Sequence, residues 1–295
     1  MRHRHTLVLS CLCLALPGVA AVAATLSWDP NGSLPVDGGT GTWTGNVWYN
    51  GSSYVPGATV APYDDYVVSA GSGTITRSSN VNLNSLRVSA SGYTIGGGGW
   101  LIFNSAGPFT LDPGLTLTLN NRMYYGSGTL SLVVGAGSTL TYDTSQLLGM
   151  TTQGATLSGG GTLTMKNGGF RPSGSVGASK ISGSGTTLLA EMDHPVQNSS
   201  GYVSVESQGT YDLNNRLQGD ISGATWSGLL GLTVTGSGSR FLGGGTASRL
   251  VVVGRSGGTS PDMGKLSVLS SGTLDTEGGW VGVFSTNADD SDLVV

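Results

Sequence analysis

The chain is short of cysteine, of histidine, of charge and of helical pattern. Its 295 residues include two cysteines, Cys11 and Cys13, both near the start. The opening MRHRH is basic, TLVLSCLCLALPGVAAV is apolar, and Ala21, Val22 and Ala23 are small. That order is the order of a secretory signal peptide, so residues 1–24 are expected to be cleaved on export. The apolar run falls short of the ~20 residues a membrane span needs. What remains has no cysteine. Disulfides, thiolate metal sites and cysteine nucleophiles are therefore excluded from it. Of the three histidines only His194 survives.

Charge is scarce and of one sign. Charged residues make up 10% of the chain, against ~25% in ordinary globular domains. Without Arg2 and Arg4 the 13 basic residues fall to 11 against 17 carboxylates, a net charge of −6. No basic tract occurs, so nucleic acid is not an expected partner, because phosphate binding needs clustered Lys and Arg. Nor is a chain this poor in charge held open by self-repulsion. Apolar residues at helical spacing are everywhere interrupted by glycine, which excludes long amphipathic helices.

Glycine, threonine and short alternating stretches are what the chain has in plenty. Glycine supplies 51 residues, more than twice the usual ~7%. Alternation of period two runs through TITRSSNVNLNSLRVSA, with Val81 and Leu83 on one parity. In FTLDPGLTLTLN it sets Leu115, Leu117 and Leu119 against Thr116 and Thr118. These are strand signals. GSGTL, GAGSTL, GGGTL, GSGTTL and SSGTL repeat one phrase, a small-residue turn feeding a Thr-Leu strand. Near the C-terminus Leu232, Leu266 and Leu293 open similar strands 34 and 27 residues apart, and LVVVG at Leu250 matches WVGVF at Trp280. Units that cannot bury an apolar face alone must stack on their neighbours.

These features predict an all-β chain, a right-handed parallel β-helix of about ten rungs and ~50 Å length, with rungs ~4.8 Å apart. A β-sandwich is the alternative. It would favour Asn-Gly hairpins at even spacing, and Asn-Gly occurs at 31–32, 50–51 and 167–168. The expected division is a signal peptide (1–24), an aromatic-rich N-terminal cap (25–66) and solenoid repeats (67–295). The cap segment holds Trp28, Trp43 and Trp48. Trp43 and Trp48 either cover the exposed end of the solenoid or present ring faces to sugars.

WDPNG, GTW and the run VVSAGSGTITRSSNVNLNSLRVSASGYTIGGGGWLIF resemble the opening of bacterial autotransporter-associated β-strand repeat proteins. ATLSGGGTLTMKNGGF is similar to the repeat itself. VGRSGG with GKLSVLSSGTLDT also resembles repeats of exported proteins carrying a C-terminal sorting anchor. The resemblance covers most of the chain after residue 24. It implies a β-helical protein, secreted or displayed at the bacterial surface or outer membrane, with no catalytic residues to carry over. Such proteins end in a barrel or an anchor, so such an element is expected beyond Val295.

No local motif adds catalysis. In EMDHPVQN, Glu191 and Asp193 would share a strand face with His194 on the other, a poor arrangement for a triad. TNADDSD and DPNGSLPVD offer oxygen ligands but fit no calcium loop. The glycine runs at 96–99 and 243–245 lack the Lys-Ser/Thr and helix of a phosphate loop. The carboxylates at Asp64–Asp65 and at Asp289, Asp290 and Asp292 lack the accompanying residues of polysaccharide-cleaving β-helices. The expectation is thus a non-catalytic, adhesin-like protein with no cofactor or metal, contacting glycans, extracellular matrix or neighbouring cells through its turns. A polysaccharide lyase or hydrolase is the alternative. Besides Trp43 and Trp48, contact is expected at Arg255 and Asp262, in the variable turn RSGGTSPDMG.

Overall fold

The computed structural model describes residues 23–294 apart from segments 58–62, 105–106, 127–128, 146–147, 149–153, 171–178, 194–200, 215, 217–219, 223–224, 228–230, 244–249, 254–264, 277–279 and 284–291. The described residues form strands and turns and no helix. Two long sheets dominate, of 13 and 10 strands. All but two strands of the first sheet, and every strand of the second, pair in parallel with partners one turn of chain away. The architecture is solenoid-like, and the sandwich alternative falls.

The register shows why the repeats read as they do. On the inner face of the long sheet, Leu26, Tyr66, Leu86, Phe109, Leu132, Leu157, Ile181, Val205, Val234 and Val268 pair in succession. Steps range from 20 residues (Tyr66 to Leu86) to 40 (Leu26 to Tyr66, across the hairpin), and reach 34 near the C-terminal end (Val234 to Val268). A second inner column runs Tyr93, Leu117, Leu140, Leu163, Leu188, Tyr211 and Phe241. These side chains are buried, Val268 partly. Alternation with period two places each neighbour outside, where Thr116, Thr139, Thr162, Thr187 and Thr210 stack. The C-terminal expectation holds residue for residue: Leu232 pairs with Leu266, Leu266 with Leu293, and Leu250 with Trp280.

Residues 25–66 do more than cap. Thr25–Trp28 pairs in parallel with Asp65–Val68 and is the first strand of the ladder. Asn46–Tyr49 then adds to it antiparallel, and Tyr54–Pro56 adds antiparallel to that. The Asn50–Gly51 turn joins this hairpin, so the sandwich-like signal there was local. The outermost strand ends in Pro56, which has no N–H to offer another chain.

Beneath the hairpin lies an aromatic cluster. Trp28, Trp43, Trp48 and Tyr66 stand with ring centroids 4.6–5.0 Å apart. Trp28 Nε1 donates to Gly39 O at 2.9 Å and Trp48 Nε1 to Trp43 O at 3.0 Å. The expectation that Trp43 and Trp48 contact a ligand at the surface is corrected here. They are 1% and 0% exposed, so neither ring has a face to offer a sugar. Burying four large rings gains more apolar area than an open platform could.

The same end holds a buried carboxylate. Asp29 Oδ2 accepts a short hydrogen bond from the Tyr54 hydroxyl, and its Oδ1 is buried with no hydrogen-bond partner. Burial, and then the Asp29 bond and charge, push the Tyr54 hydroxyl up to about 12. A raised pKa means that the fold favours the protonated phenol. Its contribution is complete below the ordinary value near 10 and is lost as pH rises from there through about 12. Tyr54→Phe is therefore expected to lower the urea midpoint at neutral pH. The gap to the parent chain should close across that alkaline window. An equal midpoint at neutral pH would show that the Asp29–Tyr54 bond contributes nothing.

Candidate functional site

Three successive rungs turn the same corner between the second sheet and a short parallel sheet built from Val81–Leu83, Leu101–Phe103 and Met123–Tyr125. The corner residues are 78–80, 98–100 and 120–122 in turn. Each rung passes over the last, so the turns stack and form a cleft of about 460 Å³. Gly97, Gly98, Gly99, Trp100, Asn120, Asn121, Arg122 and Thr144 line it. The volume falls within the range of ordinary small-molecule sites.

Glycine is needed in this wall. Gly97 has φ +105°, and a Cβ there would lie 2.1 Å from Arg77 O. A Cβ on Gly99 would lie 1.8 Å from Ser79 O. The rungs can approach only because both side chains are absent. Gly98 differs: a Cβ there meets Ser78 O at 3.7 Å, an ordinary contact.

Trp100 points outward and is 37% exposed, unlike the three tryptophans of the cap. The Arg122 guanidinium carbon sits 4.9 Å from its ring centroid, in cation–π range. The backbone N of Trp100 donates to Asn80 Oδ1 at 3.0 Å, fixing the turn to the rung below. Asn121 is 3% exposed. Its amide donates to Gly97 O and Gly99 O, which orients it, and leaves Oδ1 buried without a hydrogen-bond partner. Behind Gly99 lies Arg77, 1% exposed, with Nη2 donating to Gly99 O at 2.9 Å. Arg77 Nε and Nη1 are buried with no partner. Burial pushes this guanidinium down to about 10.

The electrostatics are of one sign. None of the cleft's eight lining residues is a carboxylate, in a chain that is acidic overall. The neighbouring Asp143 engages Lys166 at 3.6 Å. The other described ion pairs, Arg87–Asp112 and Lys180–Glu206, lie on the outer face of the long sheet. There the Arg87 guanidinium holds the Asp112 carboxyl below its ordinary value.

Other hollows are simpler. One of about 720 Å³ lies among the turns Glu206–Gln208 and Thr235–Ser237. Another, of about 210 Å³, lies where the Tyr202 ring covers Gly231 beside Lys265 and Leu269.

The expected contact residues Arg255 and Asp262 lie outside the described residues, as do His194 and Asp289–Asp290. Glu191 and Asp193 are exposed in a turn. In DPNGSLPVD, Asn31 Oδ1 accepts from Ser33 and its amide donates to Asp37, an ordinary side-chain-stabilised turn. Among the described residues no three His, Cys, Asp or Glu converge on one point. Trp100, Arg122, Asn121 and Arg77 were missed. Their signal was GGGGW followed one rung later by NNR.

Comparison of the chain with protein-family models, curated proteins and solved structures finds no match. The site must be judged on its own geometry.

Proposed function

We propose that the protein is an exported, surface-displayed solenoid that works by contact and not by turnover. The observation that carries this reading is the ladder itself. Of the 13 strands in the long sheet, the two of the terminal hairpin run antiparallel, and eleven repeat in parallel. At ~4.8 Å per step they span roughly 50 Å. Such a body sets many turns in a line, so weak contacts can act together. The signal-peptide pattern of residues 1–24 and the resemblance to autotransporter-associated repeats support export and display. The described charges support contact as well, because three ion pairs bridge neighbouring rungs and no three carboxylates converge among the described residues.

The test is retention. Beads coated with the full chain are expected to be held on surfaces bearing bacterial or plant polysaccharide, matrix protein or intact cells. No reducing ends should be released. Beads that pass every surface would overturn the reading. Release of reducing or unsaturated ends from pectin or alginate would replace it with the enzymatic alternative.

A further inference from the structure

The corner cleft carries charge that the fold itself does not need. Arg77 is a buried cation, and the ion pairs of the described residues do not include it. A buried guanidinium with two unsatisfied N–H groups costs stability. Its one hydrogen bond goes to Gly99 O, which Asn121 already satisfies. Asn121 in turn keeps a buried acceptor unused. These groups lie behind the wall, so Arg77 acts on the cleft through its charge, while Trp100, Asn120 and Arg122 line it.

The chemistry of that ligand can be read from the four groups. An exposed indole suits the flat apolar face of a ring. Arg122 at the rim and Arg77 behind the wall favour an anionic group. The exposed Asn120 in the lining offers its amide to ring hydroxyls, and the Gly97–Gly99 backbone keeps the wall thin enough for close approach. A ring with hydroxyls and one anionic substituent satisfies all four. A densely charged polyanion fits less well, because the chain beyond the cleft is acidic.

We propose that the cleft lined by Gly97–Trp100 and Asn120–Arg122 binds an acidic saccharide, its ring on Trp100 and its carboxylate or sulfate toward Arg122. The inference deepens the contact reading above and rests on it. It supplies the class of glycan that one rung corner would recognise.

The experiment is calorimetric titration of the full chain with a galacturonate oligomer. A neutral galactose oligomer, a sulfated galactan oligomer and a single-stranded DNA oligomer are run beside it. At least one acidic sugar is expected to bind about ten- to a hundredfold more tightly than the neutral one, the worth of a charge-assisted hydrogen bond. Whether the galacturonate or the sulfated probe binds better tells which anion is preferred. Gly98→Leu fills the cleft where a side chain fits and should abolish binding without moving the thermal midpoint. Arg122→Gln, which leaves the glycine wall untouched, should weaken acidic binding toward the neutral value. The proposal is overturned if no sugar binds, if neutral and acidic oligomers bind alike, if DNA binds as well as the sugars, or if Gly98→Leu binds like the parent. Bead retention separates the two claims. Retention with no sugar bound removes only the cleft, whereas loss of retention everywhere removes the rod reading.

Discussion

Trp48→Ala is expected to destabilise the N-terminal end by about 3–5 kcal/mol, the range for truncating a buried large aromatic. Trp48 is fully buried and sits 4.6–5.0 Å from the rings of Tyr66, Trp43 and Trp28. Its N–H also satisfies Trp43 O, and that carbonyl would lose its partner. In a stacked repeat each rung touches only its neighbours, so the damage should be local. Hydrogen exchange should show it: amides of Thr25–Trp28 and Asp65–Val68 should lose protection while those of Tyr202–Glu206 keep theirs. Trp100→Ala makes the contrast, since a ring already 37% exposed leaves no comparable void. Equal effects of the two substitutions would mean that the terminal cluster does not hold the end of the ladder.

That contrast also shows how far the sequence can be read. Inward and outward positions within strands were legible, because period two is a property of the strand alone. Thr116-Leu117-Thr118-Leu119 alternates in the structure as its letters do. The pairing of Leu232, Leu266 and Leu293 was legible because the phrases around them match. The orientation of a turn residue was not. Trp43 and Trp100 both follow Gly- and Thr-rich stretches, yet one is sealed in and the other stands out. What decides is the strand pairing next door. Trp43 N donates to Thr76 O across 33 positions of sequence, and the hairpin strands lie beside its ring. Trp100 is held by Asn80 and Val81 on the rung below and by Arg122 on the rung above, and stays at the rim. The corner cleft was equally hidden. Its parts come from turns about 20 residues apart, and rung length varies too much for spacing alone to align them.

Arg77→Met is the second large effect, and its sign is unusual: the variant should be more stable than the parent. Methionine keeps most of the volume and removes a charge that the interior does not neutralise. Replacements of buried ionic groups by apolar ones of similar size are commonly neutral or stabilising by about 1–4 kcal/mol. Gly99 O loses nothing essential, because Asn121 Nδ2 still donates to it at 3.0 Å. The pH dependence gives a second check. The guanidinium is pushed below its ordinary value, to about 10, by burial. The fold therefore disfavours the charged form, and the full cost is present at every pH below about 10. It is relieved as pH rises from there toward the ordinary guanidinium value. The advantage of Arg77→Met should thus be constant through neutral pH and shrink above about 10. The tyrosines raised by burial, Tyr142 and Tyr211, lose stability in the alkaline range in both proteins and cancel in the difference. Unfolding in urea at neutral pH and again above pH 10 measures it. A variant less stable than the parent at neutral pH would mean that Arg77 braces the corner. A more stable variant that binds acidic sugar poorly would show a cation kept at the expense of the fold for what it does at the cleft.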